Sequence, residues 1–233
     1  MFTRVLAFIP ARGGSRRVPR KNALPLAGRP LLAWSVDAAL QTELFTRVVV
    51  SSDDTELLDI ARSCGADIDV RPESLGTDSA KNADVLSEYL RRDDHYEDFD
   101  AVCLLPPTSP LRNGADIKGA FTLWRQAPES FVIGVSRYEF PPEFAGELDA
   151  TGGLHLRHPE VYHRNSQTQS LPNSVHPNRA IYCGSIRRFM QERTFYAPPM
   201  RGFLMPPERS LNIDYPHQFA CADALLREAS TRL

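Results

Sequence analysis

Between positions 12 and 21 the chain carries five basic side chains, Arg12, Arg16, Arg17, Arg20 and Lys21, with no acidic residue among them. Gly13, Gly14 and Ser15 fall inside the same run. Glycine lets a backbone turn tightly and come close to a ligand, and successive N–H groups in such a turn form a concavity for anions. The chemistry suited to this stretch is phosphate binding. As a bare pattern it also fits a solvated loop or a nucleic-acid patch. It is not a Walker loop, because Gly-x-x-x-x-Gly-Lys-Ser/Thr is absent, nor the Gly-x-Gly-x-x-Gly dinucleotide fingerprint.

The elements that must hold this loop can be read on either side of it. Val5–Ile9 is a short apolar run that predicts a buried strand, and Leu31–Leu40 predicts an amphipathic helix. The alternation continues. Val48–Val50 predicts a strand, followed by a helix with Leu57, Ile60, Ala61 and Cys64 on one face. Asp54 or Thr55 caps that helix, and Gly65 stops it. Ile68–Val70, Ala101–Leu105 and Phe131–Val135 predict further strands, separated by helices around Val85–Leu90 and Ile117–Trp124. Strands alternating with helices imply an α/β fold, with a mostly parallel sheet covered on both faces. Such sheets bind ligands at the carboxyl ends of their strands. The segments 11–22, 51–54, 71–82 and 106–112 each follow a strand. Residues 138–178 break the rhythm with five prolines, most of the histidines and no sustained period. A long irregular stretch inside a domain marks a functional segment or an interaction arm. Ala180–Cys183 predicts a strand, Ser185–Met190 a short helix and Gly202–Met205 a strand. A last helix carries Phe219, Ala222, Leu226 and Ala229.

Composition narrows the ligand. With 27 basic and 29 acidic residues the formal net charge is −2. The basic loop is therefore a local feature, which favours a small anion over nucleic acid, whose binding needs an extended basic face. No apolar run approaches membrane-spanning length, and the N-terminal apolar stretch is too short for a signal peptide. The four cysteines, Cys64, Cys103, Cys183 and Cys221, are far apart and show no metal-ligand spacing. They are expected to be buried free thiols in a reducing cytoplasm.

With these segments in hand, the chain resembles the acylneuraminate cytidylyltransferase family, which makes CMP-activated sialic acids and related nine-carbon sugars. Ile9–Asn22 is similar to the family's nucleotide-binding signature almost residue for residue. Val49–Asp53, Arg71–Glu73, Pro107–Arg112, Pro177–Tyr182 and Ile213–Asp214 follow in family order. The resemblance covers nearly the whole chain. It implies a three-layer, Rossmann-like nucleotidyltransferase fold in one domain, 1–233. Residues 138–178 would be a protruding dimerisation arm that reaches over the partner's site. The implied reaction joins CTP to a 2-keto-3-deoxy sugar acid and releases pyrophosphate, by attack of the anomeric hydroxyl on the α-phosphate.

The resemblance also implies site residues. Ala11, Arg12, Gly13, Gly14, Ser15, Arg16, Lys21, Asn22, Ser79 and Thr108 would bind the nucleotide. Arg12, Lys21 and Asp214 would carry catalysis. Arg164, Gln169, Asn178, Arg179, Tyr182, Phe195 and Tyr196 would bind the sugar. Mg²⁺ or another divalent cation would sit at Asn212 and Asp214, which in a strand would face one side. The blander alternatives are a helix cap for Asp214, core packing for Phe195 and Tyr196, and a turn for Ser79. The chain departs from the family pattern in four places. Pro106 stands where a polar residue is usual, Asn212 replaces a carboxylate, and Arg179 replaces glycine. An arginine expected just before Gln169 is Thr168, so Arg179 or Arg164 is expected to take over the sugar carboxylate. Sialic, legionaminic and pseudaminic acids all remain open as the sugar. The other readings are a catalytically weak CTP-binding homologue with a partner-binding role, and an enzyme for the eight-carbon acid Kdo.

Overall fold

The structure, a computed structural model, describes residues 4–77, 80–164, 171 and 173–231. Strand β1 (Val5–Pro10) is buried along its whole length. Its near-continuous apolar run is what a strand covered on both faces requires. After the phosphate-type loop come a two-residue pair, β2 (Pro25–Leu26) and β3 (Arg29–Pro30), and then helix α1 (Leu31–Leu40). The chain continues through β4 (Arg47–Ser52), α2 (Thr55–Ser63), β5 (Asp67–Val70), α3 (Asn82–Arg91), β6 (Ala101–Leu104), α4 (Gly114–Arg125) and β7 (Phe131–Arg137). A hairpin of β8 (Gly146–Leu148) and β9 (Leu154–Leu156) precedes α5 (Pro159–Arg164) and β10 (Val175–Ser185). The remaining elements are α6 (Ile186–Glu192), β11 (Met200–Leu204) and α7 (Pro216–Thr231).

Seven strands form the main sheet in the order β11-β7-β10-β6-β1-β4-β5. All neighbours are parallel except those of β10, which runs antiparallel to β6 and β7. Alternate residues divide between two cores, as the strand period of two demands. Ala7, Ile9, Val50 and Cys103 pack against Leu32, Val36, Leu57, Ile117 and Trp124 of α1, α2 and α4. Leu6, Phe8, Val49 and Leu104 pack against Leu86, Leu90 and Phe189 of α3 and α6. The three-layer, mostly parallel architecture expected from the alternation is the one observed. A third cluster joins Leu26, Leu31, Ile213 and Ala222, so α7 packs beside the β2–β3 pair.

Asp54 caps α2 as expected, accepting from the N–H groups of Glu56 and Leu57, and Gly65 ends it with φ +88°. Other expectations need correction. Residues 211–214 are not a strand. Residues 138–178 are not wholly irregular, since they contain the β8–β9 hairpin, α5 and the start of β10. The hairpin strands are short and exposed, so no burial period marks them in the sequence. Its turn is held by the Asp149 carboxylate, which accepts from Thr151 N, Thr151 Oγ1 and Gly153 N. Cys221 is exposed on α7, not buried. Cys103 and Cys183 are buried, with sulfurs 3.1 Å apart across β6 and β10.

Candidate active site

β1 has β4 on one side and β6 on the other. The chain winds outward from β1 to β5, then returns to lay down β6, which makes β1/β6 a topological switch point. Such a point opens a crevice beyond the carboxyl ends of the strands. A cavity of about 780 Å³ lies there, with Pro10 and Leu104 at its floor. Its walls carry Arg12, Lys21, Arg71, Lys81, Arg179 and Arg193 against two acids, Asp84 and Asp214. Six cations facing two carboxylates give the cavity a positive field in a chain whose overall charge is slightly negative.

The turn after β4 positions the phosphate-type loop. Asp53 accepts from the Gly13 N–H at 3.1 Å. A Cβ on residue 13 would lie 2.5 Å from Asp54 Oδ2, so only glycine fits there. Arg20 has φ +53° and turns away from the cavity to pair with Asp54 at 3.2 Å and with Glu56. Asn22 Nδ2 donates to the Arg12 carbonyl at 2.9 Å and closes the loop. Asn22 Oδ1 is buried without a hydrogen-bond partner among the described residues. Arg71, at the end of β5, is buried and donates to the Ser51 and Leu75 carbonyls. Burial pushes its guanidinium below the usual value, against the pull of Asp53 and Asp69.

The opposite wall comes from the far end of the chain. The Ile213 side chain is fully buried. Its N–H donates to the Thr108 carbonyl at 2.8 Å, and its carbonyl accepts from Lys21 Nζ. This clamp points Asn212 and Asp214 into the cavity without any strand. Asp214 lies 3.6 Å from Lys21, 3.8 Å from Arg17 and 3.4 Å from Arg179. Asn212 Nδ2 donates to Asp214 Oδ2 at 3.1 Å, and Asn212 Oδ1 accepts from Thr108 Oγ1 at 2.7 Å. Burial lowers the Lys21 pKa, and Asp214 opposes that shift. Asp214 is not a helix cap: the N–H groups of Asp214 and Tyr215 are taken by the Gln218 side chain.

The third wall is β10, whose register shifts between Pro177 and Tyr182. Arg179 occupies this irregularity with φ +62°, a conformation that costs a non-glycine residue roughly 1–2 kcal/mol. Neighbours fix it from both sides. Asn178 is buried, accepts from the Ala180 N–H and donates to Ser210 Oγ and Met205 Sδ. Arg112, fully buried, donates to the Ala180 and Pro106 carbonyls. Burial lowers its pKa to about 10. Further along, Tyr182 and Tyr196 hydroxyls meet at 3.2 Å. Burial and then this hydrogen bond raise the Tyr182 pKa, so its phenol stays protonated. Phe195 lines the cavity but is also packed on Phe189 and Phe131, which makes it part of the core. Tyr196 is half exposed beside it.

The cavity thus gathers Arg12, Gly14, Ser15, Lys21, Asn22, Thr108, Arg179, Tyr182, Phe195, Tyr196, Asn212 and Asp214. It does not gather Ala11, Gly13, Arg16 or Asn178, which are not among its lining residues. Ala11 is buried, and Gly13 and Asn178 act through backbone placement. Ser79 and Gln169 lie outside the described residues, and Arg164 is placed only as the last residue of α5. Sequence reasoning marked segment 71–82 but gave no role to Arg71, Lys81 or Asn82, and it passed over Arg193. Arg71 had a usable signal, its place at a strand's carboxyl end. Arg193 had none, since it merely ends α6 in a left-handed turn at φ +53°.

Residues 6–194 match the family model described as cytidylyltransferase. The chain is 36% identical over 218 residues to the N-acylneuraminate cytidylyltransferase of Escherichia coli O18:K1:H7, covering 92% of this chain and 50% of that protein. It is 32% identical over 227 residues to the CMP-N,N'-diacetyllegionaminic acid synthase of Legionella pneumophila, covering 96% of each. A pseudaminic acid cytidylyltransferase of Campylobacter jejuni is 31% identical over 90% of each chain. A solved structure of CMP:2-keto-3-deoxy-manno-octonic acid synthetase with CTP superposes with TM-score 0.71 over 97% of this chain and 99% of its own. At 18% identity that match speaks for the fold alone.

Proposed function

The chain belongs to the cytidylyltransferase family, and on that premise we propose that it joins CTP to a nine-carbon 2-keto-3-deoxy sugar acid, giving CMP-sugar and pyrophosphate. The observation that carries this reading is the single cavity with a cationic loop on one wall and Tyr182 and Tyr196 on another. The first wall suits a triphosphate and the second a polar sugar.

In this mechanism Arg12, Ser15, Lys21 and the N–H groups of the loop hold the triphosphate. The anomeric oxygen of the sugar forms a bond to the α-phosphorus as the α–β bridging oxygen departs with pyrophosphate. Arg12 and Lys21 neutralise the charge that grows on the leaving group. Donors already aimed at developing charge are usually the largest catalytic contribution. Asn22 Oδ1, buried and unpaired among the described residues, accepts from a ligand hydroxyl or amine. Arg179, Tyr182 and Tyr196 face the sugar, with Phe195 as their support. Arg164, Gln169 and Ser79 keep the roles implied by the sequence.

The donor set fits a divalent cation of the Mg²⁺ kind. Such an ion takes one or two carboxylates together with substrate phosphates, without an all-protein cage. Asp214 supplies one carboxylate inside the cavity, and no cluster of three or more acidic, His or Cys ligands occurs among the described residues. Asp214 would hold the ion, with Asn212 beside it. The ion would supply charge neutralisation at the phosphates and make the sugar hydroxyl more acidic.

We infer a homodimer through residues 138–178. Phe140, Leu148 and Leu154 are 75%, 74% and 62% exposed, an apolar group that calls for a partner. The free cysteines suit a reducing compartment, the cytoplasm. No described helix is long and apolar enough to cross a membrane. The test is incubation with CTP, Mg²⁺ and each of N-acetylneuraminate, legionaminate, pseudaminate and Kdo, following pyrophosphate. Release with one of the nine-carbon acids is expected. CTP binding without release for any acid would overturn the reading in favour of a binding protein, and release with Kdo alone would correct the substrate.

A further inference from the structure

We propose that Arg179 and Asp214 form an ion-pair relay. A divalent cation arriving with CTP takes Asp214 and releases Arg179, which then binds the carboxylate of the sugar acid. The two ligands therefore bind synergistically. This rests on the cytidylyltransferase reading above and deepens it.

The Asp214 carboxylate is crowded. Oδ1 faces Lys21, while Oδ2 is shared by Arg179, Arg17 and the Asn212 amide. A metal ion at this carboxylate competes with these donors. Lys21 is buried and anchored on the Ile213 carbonyl. Asn212 is tied to Thr108. Arg17 lies over the Tyr215 ring at 4.8 Å. Arg179 has an exposed side chain (65%), and its guanidinium's hydrogen bond among the described residues is the one to Asp214. A pair so exposed contributes little, so Arg179 is the donor that leaves.

Its destination is set by the backbone. Asn178 and Arg112 hold the N–H and the carbonyl of Ala180, and Asn178 is itself anchored on Ser210 and Met205, so the main chain stays in place at φ +62°. Only the side chain swings, and it swings within the cavity that Tyr182 and Tyr196 share. A guanidinium freed from one carboxylate there is a planar fork made for another. Before release, a substrate carboxylate competes with Asp214 for the same guanidinium. After release that competition is gone. Linkage then requires that the acid tighten the metal–nucleotide by the same factor by which the metal–nucleotide tightens the acid.

Calorimetric titration of the full chain tests this, using the acid that supports pyrophosphate release, Mg²⁺ and a non-hydrolysable CTP analogue. In the unmodified protein each ligand should tighten the other by about two- to fivefold, the scale of one exposed ion pair. Arg179→Gly, which suits the left-handed backbone and so preserves the fold, should bind Mg²⁺ with the analogue more tightly and lose the coupling. Asp214→Asn should bind the acid without metal as tightly as the unmodified protein does with it. Coupling that survives in Arg179→Gly, or acid affinity that ignores the metal–nucleotide in the unmodified protein, would overturn the relay while leaving the reaction intact. If none of the acids binds or is turned over, the substrate reading falls and the relay falls with it.

Discussion

Lys21 is buried beside a carboxylate, and its depressed pKa has two consequences of opposite sign. In the empty protein the charged form is disfavoured. The folded chain then binds fewer protons than the unfolded chain between the two pKa values, so stability rises as pH passes upward through the folded value. A bound triphosphate needs the charged form, so its affinity falls over that same range, below the ordinary lysine value of about 10.4. The alkaline limb should vanish in Lys21→Arg, read as CTP-analogue affinity against pH, while Lys21→Ala should lose on the order of 10²–10³ in kcat. Asn212→Asp tests the neighbouring position. A second carboxylate two residues from Asp214 should lower the Mg²⁺ concentration for half-maximal activity by about tenfold. It should also lower the melting temperature of the metal-free protein through like-charge repulsion. Individual residues of the loop were legible because cations and glycines have few other reasons to cluster. The convergence of Asn212 on Asp214 was legible only in outcome. The sequence reasoning needed a strand, and the chain uses a clamped turn at Ile213.

The least expected element is β10, with its arginine in a left-handed conformation. Its support is Arg112, which reaches through the core to the Ala180 and Pro106 carbonyls. Arg112→Met leaves two buried acceptors unpaired, at roughly 2–4 kcal/mol in all. The melting temperature should therefore fall by about 5–15 °C, and sugar KM should rise as the support of residue 179 loosens. An unchanged melting temperature would show that the buried guanidinium contributes nothing net. The helices and parallel strands could be read from apolar period and capping residues, as with Asp54 on α2. The register shift in β10 could not, because it depends on a side chain 68 positions away in sequence. Nor could the hairpin of β8 and β9, whose strands of three residues each bury nothing.

For the whole molecule, the sequence alternation correctly led to a mostly parallel sheet, and the cavity lies beyond its carboxyl edge. That inference succeeds because parallel sheets offer few places for a crevice. It does not reach the arm, where Phe140, Leu148 and Leu154 are exposed. Leu148→Asp should shift sedimentation from dimer to monomer. The central sheet, remote from the hairpin, should leave the CTP-analogue affinity of the monomer within about threefold of the dimer's. A protein that already sediments as a monomer would remove the dimer from this account.

The bond from Lys21 to the Ile213 carbonyl spans 192 residues of sequence. During synthesis the phosphate loop therefore leaves the ribosome long before the peptide that anchors its lysine. Domains fold as they emerge, from the N-terminus, and for most of that interval the emerging chain has a cationic loop but no Asp214. A chain stalled before residue 213 lacks both the carbonyl that anchors Lys21 and the Asp214 carboxylate, so its site is incomplete.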